Sequence, residues 1–187
     1  MKRIFFSILF LFSIVSFGQN ENYFENEIYK KANAYLIAWE NNNRFELPSS
    51  QEREIMKNSN EIREYSIIKA YENFQLLISN YPNSKRYFDY IYQKANIEFN
   101  AQRFDESKKS LNKIIEESKN EWNDMDKNPY ILLATIAVEE KQFAQGIDYL
   151  KKVRIDYEYF QCLNGIATND NFRKLNSLYE SCISGLK

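Results

Sequence analysis

Apolar residues recur along this chain at steps of three and four, the spacing that lines one face of an α-helix. Phe24, Ile28, Ala32, Tyr35, Leu36 and Trp39 form the first such face, which ends at Asn41–Asn42–Asn43. Residues 43–48 read as a loop, and Ser49 followed by Glu52 has the spacing of a capping box. The stretch Gln51–Asn60 offers only Ile55 and Met56 as apolar anchors, so it reads as a weakly packed turn or polar lead-in. Helical spacing resumes at Ile62, Tyr65, Ile68, Leu76 and Ile78, with Ala70, Phe74 and Leu77 on an adjoining stripe. Asn80, Pro82 and Asn83 stop it, since proline cannot continue the hydrogen-bond ladder.

Ser84 is placed to cap a helix reaching about Asn100, with Tyr87, Ile91, Ala95 and Phe99 at spacing four. A tight turn at Ala101–Arg103 leads into a helix from Phe104 to about Lys119. Asn128 and Pro129 form the clearest helix start: the asparagine accepts an orphan backbone N–H, and proline at the first position has none to satisfy. A helix over Tyr130–Glu139, a turn near Lys141–Gln142 and a helix from Phe143 to about Arg154 follow. Two short helices, Tyr157–Ala167 and Asn171–Ser184, complete the pattern. No segment alternates with period two for long, so the fold class expected is all-α.

The N-terminus differs in kind. Lys2 and Arg3 precede an apolar stretch from Ile4 to Val15, with small residues at Ser16 and Gly18. This is the form of a secretory signal peptide over residues 1–18, cleaved before Gln19. A transmembrane anchor is the alternative, but the run is shorter than the roughly 20 residues a span needs, and Gln19–Asn22 supplies no basic stop-transfer cluster. No stable membrane span is expected after cleavage, and the destination expected is periplasmic or secreted.

Composition then narrows the chemistry. There is no His among 187 residues, which excludes Ser-His-Asp and Cys-His catalysis and His-ligated zinc. Removal of residues 1–18 leaves 23 basic and 26 acidic side chains with both signs interspersed, unlike the concentrated positive face of a nucleic-acid binder. The string Asp124-Met125-Asp126-Lys127-Asn128 imitates a calcium loop, yet Pro129 stands where that loop needs Gly and Thr135 where it needs a carboxylate. Glu116–Glu117 and Glu139–Glu140 are neighbours that point in different directions around a helix. No metal, cofactor or catalytic residue is assigned.

An internal repeat emerges when the helices are aligned on their aromatic openers. Phe104, Ser107, Leu111 and Ile114 correspond to Phe143, Gly146, Leu150 and Val153, and then to Phe172, Leu175, Tyr179 and Cys182. Ten residues before each opener begins Lys94–Ala95, Leu133–Ala134 or Cys162–Leu163. These positions resemble tetratricopeptide-repeat proteins, in which small residues of paired helices meet and an aromatic follows the turn. Ala70, Phe74, Leu77 and Pro82 resemble the second half of an earlier unit. Asn80-Tyr81-Pro82-Asn83-Ser84 is similar to the inter-repeat loop of exported bacterial members.

The resemblance implies antiparallel helix hairpins stacked as a short right-handed solenoid over residues 61–187, with 19–60 as an N-terminal helix and lead-in. One hairpin cannot bury its apolar face alone, whereas a stack can. It also implies a noncatalytic scaffold whose concave side binds an unidentified protein or peptide, through first-helix residues such as Tyr92, Asn96, Tyr130 and Thr135. An exported all-α enzyme with a carboxylate site and a structural envelope component are the competing readings. Cys162 and Cys182 fall in the last two predicted helices, where a disulfide, two buried thiols and a redox role are each open.

Overall fold

The computed structural model describes the backbone of residues 2–118, 128–164 and 169–187, and the side chains of residues 22–118, 128–153 and 173–187. It is all-α: every regular element among the described residues is a helix. The chain forms two compact units, Met1–Tyr87 and Phe88–Lys187.

The first unit contains α1 (Lys2–Asn41), a 3₁₀ turn (Arg44–Glu46), α2 (Ser50–Ile55) and α3 (Ser59–Asn80). The segment read as the signal peptide is continuous with α1 in backbone, and its side chains lie outside the described residues. Helices α1 and α3 pack together and run antiparallel, since Arg63 stacks over Trp39 at one end and Ser84 bonds Glu25 at the other. Their core is Ala32, Tyr35, Leu36 and Ala38 of α1 with Ile62, Ala70, Phe74 and Leu77 of α3, joined by Leu47. Burial of each large side chain contributes about 1.5–3 kcal/mol. The lead-in is helical only over Ser50–Ile55, which buries no residue: Ser49 and Glu52 complete the capping box at α2, and after the break at residues 56–58 Asn58 caps α3 through Asn60 N–H at 2.9 Å.

The second unit contains α4 (Tyr87–Asn100), α5 (Phe104–Ser118), α6 (Pro129–Glu139), α7 (Phe143–Asn164) and α8 (Asn169–Gly185). Asn128 caps α6 as its sequence predicts, accepting Tyr130 N–H at 2.9 Å with Pro129 in the first turn. Ser84 acts differently from expectation. Its Oγ accepts Arg86 N–H at 3.0 Å in a turn that precedes α4. The break expected after Arg154 is also absent: α7 runs on to Asn164, because residues 154–157 hold neither Gly nor Pro to interrupt it.

Two hairpins of this unit are copies. Gln102 and Lys141 both take left-handed backbone, with φ of 58° and 59°, at the turns α4–α5 and α6–α7. Arg103 N–H bonds Glu98 O at 2.9 Å, and Gln142 N–H bonds Ala137 O at 2.7 Å. Ala95 and Ala134 are fully buried, as are Leu111, Ile114 and Val153, with Leu150 nearly so. Ser107 Oγ donates to Ala95 O at 2.8 Å, and Gly146, its counterpart, lies against Ala134 O. Small residues at 107 and 146 thus let paired helices approach closely. The end of α1 repeats the same turn, with Asn42 at φ 50° and Asn43 N–H on Ala38 O at 3.1 Å. In α3, Ala70, Phe74 and Leu77 repeat the buried four-then-three step. Phe172, the third predicted opener, has its side chain outside the described residues.

Candidate functional site

The four residues predicted to line a groove, Tyr92 and Asn96 on α4 and Tyr130 and Thr135 on α6, are all half-buried. Asn96 accepts Asn100 Nδ2–H through its main-chain oxygen at 2.7 Å. Thr135 Oγ1 donates to Ile131 O at 2.8 Å within its own helix, a bond that occupies its hydroxyl proton. Tyr130 packs on Tyr149 of α7 with ring centroids 6.4 Å apart, and Lys152 Nζ sits 5.0 Å from its centroid. Tyr149 in turn accepts Gln145 Nε2–H at 2.9 Å. The Tyr130–Tyr149–Lys152 group is therefore a partly exposed aromatic and cationic patch made by two helices. Only its α6 member was evident from the spacing.

Among the described residues, Glu98 and Glu52 each accept several donors of the fold. Glu98 is 1% exposed, and its carboxylate faces Lys94 on the same helix, Arg103 at 3.3 Å in the turn and Ser110 Oγ at 2.8 Å on α5. This group locks the α4–α5 hairpin. In the first unit Glu52 Oε1 accepts from both Tyr35 Oη, at 2.6 Å, and Tyr65 Oη, at 2.7 Å. Its Oε2 accepts from Ser49 N–H at 3.1 Å and Ser49 Oγ at 2.9 Å. Burial works to raise the Glu52 carboxyl, but the bonds from Tyr35, Tyr65 and Ser49 outweigh it and hold the group below its ordinary range. Burial, then the bond to Glu52, pushes Tyr35 and Tyr65 above the usual phenol range. Neither tyrosine is poised as a base.

The first unit carries a recess that the residue pattern did not mark as a site. The connection Asn80–Arg86 folds against α1, tied there by Ser84 Oγ on Glu25 and by Arg86 Nη1 on Asn26 Oδ1 at 3.0 Å. The Arg86 guanidinium also stacks 4.7 Å from the Tyr29 ring centroid. Between the walls lies a cavity of about 450 Å³, with Asn22, Glu25 and Asn26 on α1 and Asn83 to Arg86 opposite. A smaller one of about 200 Å³ adjoins it and extends to Asn80, Tyr81 and Pro82. One wall was legible as a distinctive loop phrase. The other is some 60 residues away in the chain, and only the antiparallel packing of α1 and α3 brings it near.

Cys182 is a free, buried thiol, and burial raises its pKa above the ordinary value. Its sulfur sits against Gly146, while Phe143 covers Gly185, which sets α7 and α8 antiparallel. Cys162, the other cysteine of the open disulfide reading, has its side chain outside the described residues.

Among the described residues no group of three or more Cys, Asp or Glu is arranged to hold a metal, and no helix is long and apolar enough to cross a membrane. No family model, curated protein or solved structure matches the chain.

Proposed function

We propose that this chain is an exported, noncatalytic scaffold of tetratricopeptide-like hairpins, arranged as a short right-handed solenoid, that binds another protein or peptide. The observation that carries this reading is the copied hairpin: turns 39 residues apart share a left-handed residue, the same closing hydrogen bond and the same small–small helix contact. Repeated hairpins give a surface that grows by addition and suits extended partners. Export rests on the basic, apolar and small-residue order of residues 1–18, and places the protein in the periplasm or outside the cell.

Two carboxylates are committed to the fold rather than to acid–base chemistry. Glu98 and Glu52 both have their oxygens engaged by donors of the fold, so neither is left to exchange protons with a substrate. Tyr130 with Tyr149 and Lys152 offers the kind of aromatic and cationic surface that anchors partners. The test is a photo-crosslinking amino acid at Tyr130 in the producing cell. Defined protein adducts in the envelope or medium fraction support the proposal. If the chain stays in the cytoplasm, or Tyr130 yields no adduct above a crosslinker at exposed Glu180, the reading fails.

A further inference from the structure

We infer that the recess between α1 and the Asn80–Arg86 connection is a seat for an extended peptide segment bearing acidic side chains. This rests on the binding reading above and assigns it a site and a ligand chemistry. The walls are set in advance: Ser84 is bonded to Glu25, and Arg86 is held by Asn26 and by the face of Tyr29. A groove whose walls are already tied together loses little freedom when a ligand enters.

The lining selects the ligand. Enclosed pockets suit small organic molecules, whereas this recess is half open to solvent, and its lining residues are amides, a hydroxyl and charged groups. The side-chain amides of Asn22 and Asn83 each offer a donor and an acceptor, the complement of a peptide main chain that has no strand partner. Lys85 lines the same recess and makes no ion pair among the described residues. Among the described lining residues Glu25, bonded to the Ser84 hydroxyl, is the single acidic group, set against the two positive charges of Lys85 and Arg86. The balance of charge favours a carboxylate, with Lys85 as its contact.

The test uses the chain as purified from the exporting cell and short fluorescein-labelled peptides of alternating Asp and Gly, or of Lys and Gly, read by fluorescence anisotropy. The Asp peptide should bind and the Lys peptide should not. Lys85→Glu should weaken Asp-peptide binding roughly tenfold or more, as expected for loss of a charge-assisted contact. Lys31→Glu, an equal charge change at an exposed site on α1, should leave it within about twofold. Lys85→Gln and Asn83→Ala, both at exposed positions, supply milder variants should Lys85→Glu fold poorly. Absence of Asp-peptide binding, equal binding of both peptides, or loss of affinity that Lys31→Glu matches would each overturn the assignment. A crosslinker at Asn83 separates this failure from that of the scaffold itself. Adducts at Tyr130 but none at Asn83 would end the groove proposal and leave the scaffold standing, while no adducts at either position would end both.

Discussion

Gly146 of α7 faces Cys182 of α8 so closely that a Cβ at position 146 would lie 2.8 Å from the cysteine sulfur. A helical glycine normally costs about 1 kcal/mol relative to alanine. Here the added methyl meets a buried sulfur on a short side chain, and overpacking costs about 1–3 kcal/mol. Gly146→Ala is expected to lower the midpoint of chemical denaturation. In a Cys182→Ala background the methyl has room, so the same change should be neutral or stabilising. A Gly146→Ala protein more stable than wild type would show that α7 and α8 are not in this contact.

The same register bears on cysteine chemistry. Cys182 should resist iodoacetamide in the native protein and react fully in denaturant, because its thiol is buried and its ionisation is suppressed. Peptide mapping without reductant should recover residue 182 unlinked. A cross-linked fragment containing residue 182 would contradict the free thiol.

Glu98 is the tie between α4, its turn and α5. Glu98→Ala would leave Ser110 Oγ without its acceptor and remove the carboxylate from Lys94 and Arg103. The expected loss is about 1–3 kcal/mol in urea denaturation, moderated because Lys94 and Arg103 reach solvent. Glu98→Gln, which keeps an oxygen for Ser110, should lose less. Equal stability of the alanine variant and wild type would mean the tie contributes nothing.

Gln102 and Lys141 occupy left-handed backbone in which a Cβ is unfavourable. Gln102→Gly and Lys141→Gly should each stabilise the protein by about 0.5–1 kcal/mol, reversing the usual penalty for glycine. Alanine at the same positions should give no such gain. Thermal denaturation of the four variants decides between these outcomes.

Glu52 links stability to acid. Its folded-state carboxyl lies below the ordinary glutamate range, so its contribution is present above that range and is lost as pH falls through the folded value. Wild type should therefore lose its advantage over Glu52→Gln as pH falls below about 4. Tyr35 and Tyr65 shift upward, so their contribution holds below the ordinary phenol range and declines as pH rises beyond it. Melting temperatures measured across acid pH would expose an error here if the gap between wild type and Glu52→Gln stayed constant.

Helices, caps and turns were readable from local order because their causes are local. The Ser49–Glu52 box needs one turn of chain, and Asn128–Pro129 needs two residues. The hairpin copies were readable because each repeats the same small, aromatic and aliphatic spacing around its own turn. The end of α7 is ambiguous in the sequence because Tyr157, Phe160 and Leu163 satisfy a new helix as well as a continuing one. Leu47, nearly fully buried, was hidden inside a segment whose polar neighbours mark it as loop.

By itself the amino-acid order determined the all-α class, most helix starts and the recurring small positions at Ser107 and Gly146, since backbone hydrogen bonding and side-chain size act within a few residues. Only tertiary structure decided that Glu52 joins Tyr35 to Tyr65, that Cys182 meets Gly146, and that Asn22 faces Asn83 across a recess. Those pairings depend on the register between antiparallel helices. A displacement of one turn, about 5 Å, changes every partner while leaving the periodicity untouched.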